Sequence, residues 1–177
     1  MRTFIAIDIP KEIKDRLYET QSAIKSLGII AAYPHKKNLE ITLAFLGDKT
    51  EEEISNIKYQ LQEIKLNSFA ASIKNMGSFP SDFRINVVWA GVDSSDLYIL
   101  NSLVCKSINF KLDRPFNPHI TLCRVKSAKN QDKLQSFIKE RRNMGFGEFR
   151  IDSFVLKKST LTKDGPKYEN IEKFSLN

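Results

Sequence analysis

Hydrophobic residues recur along this chain at two alternating spacings, every second residue and every third or fourth residue. The spacing of two predicts strands, which we place at residues 2–9, 29–33, 38–47, 69–74, 84–91, 118–125, 149–158 and 168–176. The helical spacing predicts four helices, with apolar stripes at residues 13–27, 54–64, 97–108 and 134–138. Turns or loops are predicted at residues 77–82, 114–117, 143–147 and 162–166. Short connections between alternating helices and strands predict an α/β or α+β fold.

Two of the predicted strands carry an internal repeat. The segment NLEITL at residues 38–43 and the segment NPHITL at residues 117–122 are identical at four of six positions. Each copy follows a loop and precedes a predicted helix. We therefore predict two structurally similar lobes within one bilobal domain, residues 1–177, with pseudo-repeat strands at residues 38–46 and 117–125.

The repeat places polar side chains in pairs. Residues two apart on a strand share a face and lie roughly 6.5–7 Å apart, so Glu40 and Thr42 share one face, and His119 and Thr121 share another. A pseudo-two-fold axis between the lobes would bring the two pairs together across one groove. Such a groove suits a tetrahedral phosphate: the hydroxyls bind its oxygens, one titratable group takes a proton from the nucleophile, and the other protonates the leaving oxygen.

Two further residues of the second repeat strand bear on this site. Arg124 could add positive charge against a bound anion. In an ideal strand the Arg124 side chain points away from the His119 face, so this role requires a bulge or a strand end. Cys123 is predicted on the His119 face, but no second histidine stands beside it to suggest use as a nucleophile.

Composition narrows the classes of partner and cofactor. The 28 Lys and Arg residues exceed the 21 Asp and Glu residues, and the formal charge of +7 favours an anionic partner such as nucleic acid, although many soluble proteins are mildly basic. Two histidines and two cysteines exclude a three-histidine zinc site and a four-cysteine site, and we expect no metal or other cofactor. No segment approaches the roughly 20 apolar residues of a membrane span, so we expect a cytoplasmic protein without membrane association.

Several other stretches accompany the two repeat motifs, namely the opening RTFIAIDIP, the internal GSFP and VVWAGV, and the closing STLTKDGPKYENIEKFSL. With these stretches the chain resembles the two-histidine phosphoesterases, in particular the RNA 2′,3′-cyclic phosphodiesterase branch, also called 2′-5′ RNA ligase. That family carries two His-x-Thr-x motifs, one in each lobe. The resemblance extends nearly end to end and implies an α+β, bilobal, duplicated fold in which two antiparallel-rich sheets face a central basic groove, with helices outside.

The resemblance also implies a function. It assigns catalysis to His119 and to position 40, and substrate binding to Thr42, Thr121 and Arg124. The implied partner is RNA with a 2′,3′-cyclic phosphate, hydrolysed to a 2′-phosphomonoester, or RNA with a 2′-5′ linkage, without a metal. A small cyclic nucleotide is an alternative substrate for the same site. We expect a monomer.

Position 40 departs from the family pattern, because Glu40 stands where the family has its first histidine, and His35 is out of register to replace it. Three interpretations follow: a variant that uses a carboxyl group, a binder of RNA ends or nucleotides without catalysis, or an engineered substitution. A glutamate is about two pH units less basic than a histidine, and at neutral pH only about one in 500 would carry the proton of a general acid. A bound phosphate would raise the pKa of Glu40 and partly restore the acid role. We therefore expect reduced turnover.

Overall fold

A computed structural model describes all 177 residues as nine strands and four α-helices. The strands are β1 (Arg2–Asp8), β2 (Ala31–Ala32), β3 (Glu40–Asp48), β4 (Phe69–Ser81), β5 (Arg84–Asp93), β6 (His119–Val125), β7 (Gly145–Ile151), β8 (Ser153–Thr162) and β9 (Gly165–Ser175). The helices are α1 (Lys11–Ser26), α2 (Glu51–Gln62), α3 (Ser95–Ser107) and α4 (Gln131–Glu140). All strand pairs are antiparallel, which confirms the α+β class.

The strands form two sheets, and the two repeat strands belong to different ones. The four-stranded sheet has the order β3-β1-β8-β9, and the five-stranded sheet has the order β2-β6-β5-β4-β7. The repeat strands β3 and β6 contact each other across the boundary between the sheets. Helices α2 and α3 pack against the four-stranded sheet, and helices α1 and α4 pack against the five-stranded sheet. This arrangement confirms the duplicated two-sheet architecture that the resemblance implied.

Local sequence signals mark the beginning of helix α2 and the end of helix α1. Helix α2 begins with a capping box, in which the Thr50 hydroxyl accepts a hydrogen bond from the Glu53 amide at 3.1 Å and the Glu53 carboxylate accepts one from the Thr50 amide at 2.8 Å. Helix α1 buries its predicted stripe, including Ile13, Leu17 and Ile24. It ends just before Gly28, whose φ of +76° lies in the region that favours glycine.

The turn predicted at residues 77–82 is wrong, because β4 continues through Ser81 and the hairpin turn follows it. Gly77 suggested a turn, but it has a packing role inside the strand. A Cβ atom on Gly77 would clash with the indole ring of Trp89, so only glycine lets that ring approach this backbone so closely.

The single strand predicted at residues 149–158 is also wrong. The chain forms β7, beginning at Gly145 within the predicted loop, then leaves the five-stranded sheet at Asp152 and continues as β8 in the four-stranded sheet. Apolar residues occur on both sides of this crossing with only two polar residues between them, so the pattern of hydrophobic residues alone does not mark the change of sheet.

Candidate active site

The two repeat strands line one open cavity of about 520 Å³, which we call the central groove. All five site residues predicted from the sequence lie on its walls: Glu40, Thr42, His119, Thr121 and Arg124. The side chains of Thr42, His119 and Thr121 are half-buried, and Arg124 is exposed. The groove therefore brings together the two hydroxyls, one imidazole, one guanidinium and one carboxyl group that the repeat predicted.

A β-bulge in β6 turns Arg124 into the central groove. In the ladder between β5 and β6, Thr121 and Cys123 pair with consecutive residues of β5, so Leu122 is one extra residue in β6. The extra residue shifts the side-chain alternation by one position, and Arg124 returns to the face that carries His119. The sequence required a bulge or a strand end for this placement, and the structure has the bulge.

The same bulge overturns the prediction for Cys123. Ideal alternation placed the Cys123 thiol on the His119 face, but Leu122 and Cys123 are both fully buried in the hydrophobic core. Burial raises the pKa of the Cys123 thiol to about 12. Because a thiol is nucleophilic only as its thiolate, Cys123 is a core residue and takes no part in the site.

The first repeat strand contains the equivalent bulge. Thr42 and Ala44 pair with consecutive residues of β1, so Leu43 is the extra residue in β3. Leu43 and Leu122 occupy the same position of the repeated motif. After the bulge, the exposed Phe45 reaches the central groove at the position that Arg124 holds in β6. The repeat therefore duplicates a backbone feature as well as a set of side chains.

A buried side-chain amide holds each bulge from behind. Nδ2 of Asn101, on α3, donates to the carbonyl oxygen of Leu43 at 2.8 Å. Nε2 of Gln21, on α1, donates to the carbonyl oxygen of Leu122 at 2.8 Å. The sequence analysis missed both amides, although a polar residue within an apolar helical stripe is the signal that could have found them.

His119 is arranged as a neutral base. Its Nδ1 lies 2.7 Å from the carbonyl oxygen of Asn117. A carbonyl only accepts, so Nδ1 carries the proton, and Nε2 is the unprotonated nitrogen of the neutral ring. Burial lowers the pKa of His119, and the charge of Arg124 adds to this effect against the Asn117 hydrogen bond, which raises it. The neutral form therefore predominates at neutral pH and can accept a proton from a nucleophile.

Glu40 is held in a buried ion pair that the sequence analysis missed. Its Oε2 lies 2.6 Å from Nζ of Lys157, and Asp8 places Oδ1 2.5 Å from the same nitrogen. The side chains of Glu40 and Lys157 are only 4% and 6% exposed. Lys157 lies on β8 and Glu40 on β3, so the lysine side chain crosses the intervening strand β1 to reach its partner.

The charge state of this pair follows from its geometry. Burial by itself would lower the pKa of Lys157, but the carboxylates of Glu40 and Asp8 raise it above its ordinary value. Burial raises the pKa of Glu40, and the ammonium of Lys157 opposes that rise through its charge and its hydrogen bond. The pKa of Glu40 remains above its ordinary value, because burial and the Asp8 charge outweigh the ammonium. The direct contact with Lys157 at 2.6 Å favours the ionised form, so we assign Glu40 as a carboxylate and Lys157 as a cation at neutral pH.

Two further groove residues escaped the sequence analysis. His35, which is out of register to replace the residue at position 40, is exposed but lies at the edge of the central groove, where its Nε2 lies 2.9 Å from the carbonyl oxygen of Asp164. Tyr168, on β9, lines the groove and packs edge-on against Phe4 with ring centroids 4.8 Å apart. Burial raises the pKa of the Tyr168 phenol.

Metal-binding groups and membrane-spanning helices were also expected to be absent. No group of three or more His, Cys, Asp or Glu side chains has the arrangement of a metal-binding site. None of the helices combines the length and the apolar character that are needed to cross a membrane.

Comparison with known proteins identifies the class to which this fold and groove belong. A family model described as LigT like Phosphoesterase matches residues 7–89 and 100–168, and the chain belongs to this family. The RNA 2′,3′-cyclic phosphodiesterase of Methanocaldococcus jannaschii is 37% identical, over 98% of this chain and 100% of the relative. The protein of the same name from Methanothermobacter thermautotrophicus is 33% identical, over 99% of each chain.

Solved structures give the same result at the level of the fold. A crystal structure of a Thermus thermophilus protein superposes with a TM-score of 0.81 at 27% identity, over 99% of this chain and 97% of that chain. The crystal structure of Escherichia coli LigT complexed with 3′-AMP superposes with a TM-score of 0.82 at 24% identity, with the same coverage. The resemblance stated from the sequence motifs is confirmed.

Proposed function

We propose that this chain binds RNA ends carrying a 2′,3′-cyclic phosphate in the central groove and opens them slowly to a 2′-phosphomonoester. The observation that carries the proposal is the convergence of the two repeat motifs, from two different sheets, on one groove. The names of the archaeal relatives, RNA 2′,3′-cyclic phosphodiesterase, support the choice of substrate.

In this proposal His119 activates the nucleophile. A water oxygen attacks the phosphorus while Nε2 of His119 takes the water's proton, and the bond between phosphorus and the 3′ oxygen breaks. The 3′ oxygen then needs a proton to leave as a hydroxyl group, and the phosphate remains on the 2′ oxygen. Thr42 and Thr121 would donate to the non-bridging oxygens, and the charge of Arg124 would offset that of the phosphate.

We expect a slow rate because of the residue at position 40, which lines the same groove as His119. A positioned general acid contributes about 10²–10⁴-fold to a rate. Glu40 stands at the position of the first family histidine, but one of its oxygens, Oε2, accepts a hydrogen bond from the Lys157 ammonium, which favours the unprotonated carboxylate. The protonation of the 3′ oxygen therefore falls mainly to solvent, and we expect turnover below that of a site with two histidines.

A binding comparison tests the location of the phosphate. The probe is one short RNA prepared with either a 2′,3′-cyclic phosphate end or a 3′-hydroxyl end. We expect this protein to prefer the cyclic end, and the Thr42→Val and Thr121→Val variants to lose that preference because valine keeps the shape and removes the hydroxyl. Equal affinity of the parent protein for the two ends would overturn the proposal.

The Glu40–Lys157 pair also favours a second candidate function, binding of cyclic-phosphate ends without turnover. Product formation with protein in excess over RNA separates the two. A 2′-phosphomonoester that appears with the parent protein and disappears with His119→Ala supports the enzyme. Preferential binding of the cyclic end with no product supports the binding protein. The salt dependence of affinity distinguishes RNA from a small cyclic nucleotide, since only the longer chain releases several counterions.

A further inference from the structure

Lys157 differs from every other ion-paired lysine of this chain in its burial. Its side chain is 6% exposed, whereas Lys49, the next most buried lysine in an ion pair, is 26% exposed. Burying an ammonium requires close counter-charges, and Lys157 has two, Glu40 at 2.6 Å and Asp8 at 2.5 Å. Only Glu40 of these two lines the central groove. The pair therefore joins a carboxylate of the central groove to a lysine on β8 of the four-stranded sheet.

The remaining charged and titratable groups near Glu40 come from three elements. Asp8 of β1 opposes the Glu40 charge, and Lys14 of α1 favours it. Nζ of Lys14 donates to the Lys37 carbonyl oxygen at 2.9 Å, so its ammonium is held away from direct contact with the Glu40 carboxylate. Tyr168 of β9 is the third group, and it is close enough for the Glu40 charge to raise the pKa of its phenol. Lys157 is therefore the only cation in direct contact with Glu40.

We propose that Lys157 is a positioning residue that holds Glu40 as a fixed carboxylate and thereby withholds a general acid from the central groove. This inference rests on the proposed function. Without the ammonium, burial, Asp8 and the bound phosphate all favour the protonated form of Glu40. Neutral Glu40 would then give its proton to the 3′ oxygen as the bond to phosphorus breaks, and the resulting carboxylate would regain a proton from solvent. His119 takes the proton of the attacking water in the same step.

The test is a comparison of kcat and KM across pH, from about pH 5 to about pH 9, on an RNA that ends in a 2′,3′-cyclic phosphate. The variants are Lys157→Met, which keeps the length and removes the charge, Glu40→Gln, and the two combined. Lys157→Gln provides a second neutral variant, whose side-chain amide can still donate hydrogen bonds. Lys157→Arg retains the charge, and Lys58→Met removes the lysine of a partly exposed pair with Glu172 as a matched control. Thermal unfolding shows which variants are folded.

We expect Lys157→Met or Lys157→Gln to raise kcat by about tenfold or more below neutral pH, with a new fall in rate towards alkaline pH as Glu40 ionises. Glu40→Gln should abolish both the gain and the alkaline fall, and Lys157→Arg should keep the parent profile. Folded neutral variants with an unchanged pH profile, or a gain that survives Glu40→Gln, would overturn the inference.

The combined variant Glu40→His with Lys157→Met separates this inference from the proposed function. It rebuilds the two-histidine site without the buried ammonium. Activity of that variant together with an unchanged Lys157→Met profile would overturn the role of Lys157 and leave the proposed function standing. No hydrolysis by any variant, with no preference for the cyclic end, would overturn the proposed function itself.

Discussion

The ring of Phe79 meets the imidazole of His119 edge-on, with the ring centroids 5.1 Å apart and the planes at 85°. Phe79 lies on β4 and His119 on β6, with β5 between them, and Trp89 of β5 supports the phenyl ring at a centroid distance of 5.3 Å. This aromatic contact contributes to the burial that keeps His119 neutral. The five-stranded sheet thus sets the protonation state of the histidine as well as its position.

Removal of the phenyl ring should change how His119 titrates. In Phe79→Ala, water reaches the imidazole, so the pKa of His119 should rise towards its ordinary value. NMR titration of the His119 ring protons measures the change, with His35→Gln used to assign the two histidines. Phe83→Ala is the control, since Phe83 is 89% exposed in the hairpin turn that follows β4. An unchanged pKa in Phe79→Ala would contradict the role given to this contact.

The lowered pKa of His119 also predicts a pH dependence for the parent protein. The imidazole must be neutral to take a proton, so kcat/KM should be constant above about pH 6.5, the ordinary pKa of a histidine. Since the pKa of His119 in the folded protein lies below 6.5, kcat/KM should fall only as the pH approaches and passes below this lowered pKa. The pH profile of kcat/KM on a cyclic-phosphate RNA measures this, and a midpoint above pH 6.5 would contradict the assignment.

Replacement of Arg124 should weaken RNA binding in a salt-dependent way. If Arg124 neutralises one phosphate, Arg124→Gln should reduce the slope of log affinity against log salt by about 0.7 for a single strand. Arg150→Gln is the matched control, because Arg150 lies on β7 outside the central groove and hydrogen-bonds Ser68. Equal slopes for the two variants would show that the bulge does not bring Arg124 to the RNA.

The two buried side-chain amides behind the bulges should contribute more to the free energy of unfolding than exposed amides do. Gln21→Leu and Asn101→Leu remove a buried hydrogen-bond donor from the carbonyl oxygens of Leu122 and Leu43, and should each cost about 1–3 kcal/mol of unfolding free energy. Urea unfolding measures the loss. Gln62→Leu, at an exposed amide of α2, should cost far less. If the buried variants unfold like this control, the amides do not hold the bulges.

Sequence reasoning reached the site through the repeat. The matching residues around Thr42 and Thr121 predicted two equivalent strands, and alternation correctly paired each threonine with the residue two positions before it. Alternation failed beyond the bulges, because one extra residue reverses every later side chain. Ideal alternation therefore brings Arg124 to the groove only on condition of a bulge or a strand end, and it places Cys123 on the wrong face for the same reason.

The ion pair of Glu40 lay beyond what the sequence pattern could predict. Lys157 and Lys158 are consecutive basic residues within a strand, and such residues are typical of a solvent-exposed face. The partners are 117 positions apart and two strands apart in the sheet, and that neighbourhood exists only once β1 lies between β3 and β8. The ordinary pKa of a glutamate already predicts, from the sequence alone, that Glu40 is a poor general acid at neutral pH. The structure adds the Lys157 ammonium, which favours the ionised form of Glu40.

The measurement that tests the central claim most directly is the single-turnover rate of the parent protein and of His119→Ala on an RNA ending in a 2′,3′-cyclic phosphate. The account predicts slow formation of a 2′-phosphomonoester by the parent protein, and a rate reduced by about 10²–10⁴-fold in His119→Ala with the fold intact. Equal rates for the two proteins would contradict it, because the two repeat strands carry no other imidazole to activate the water.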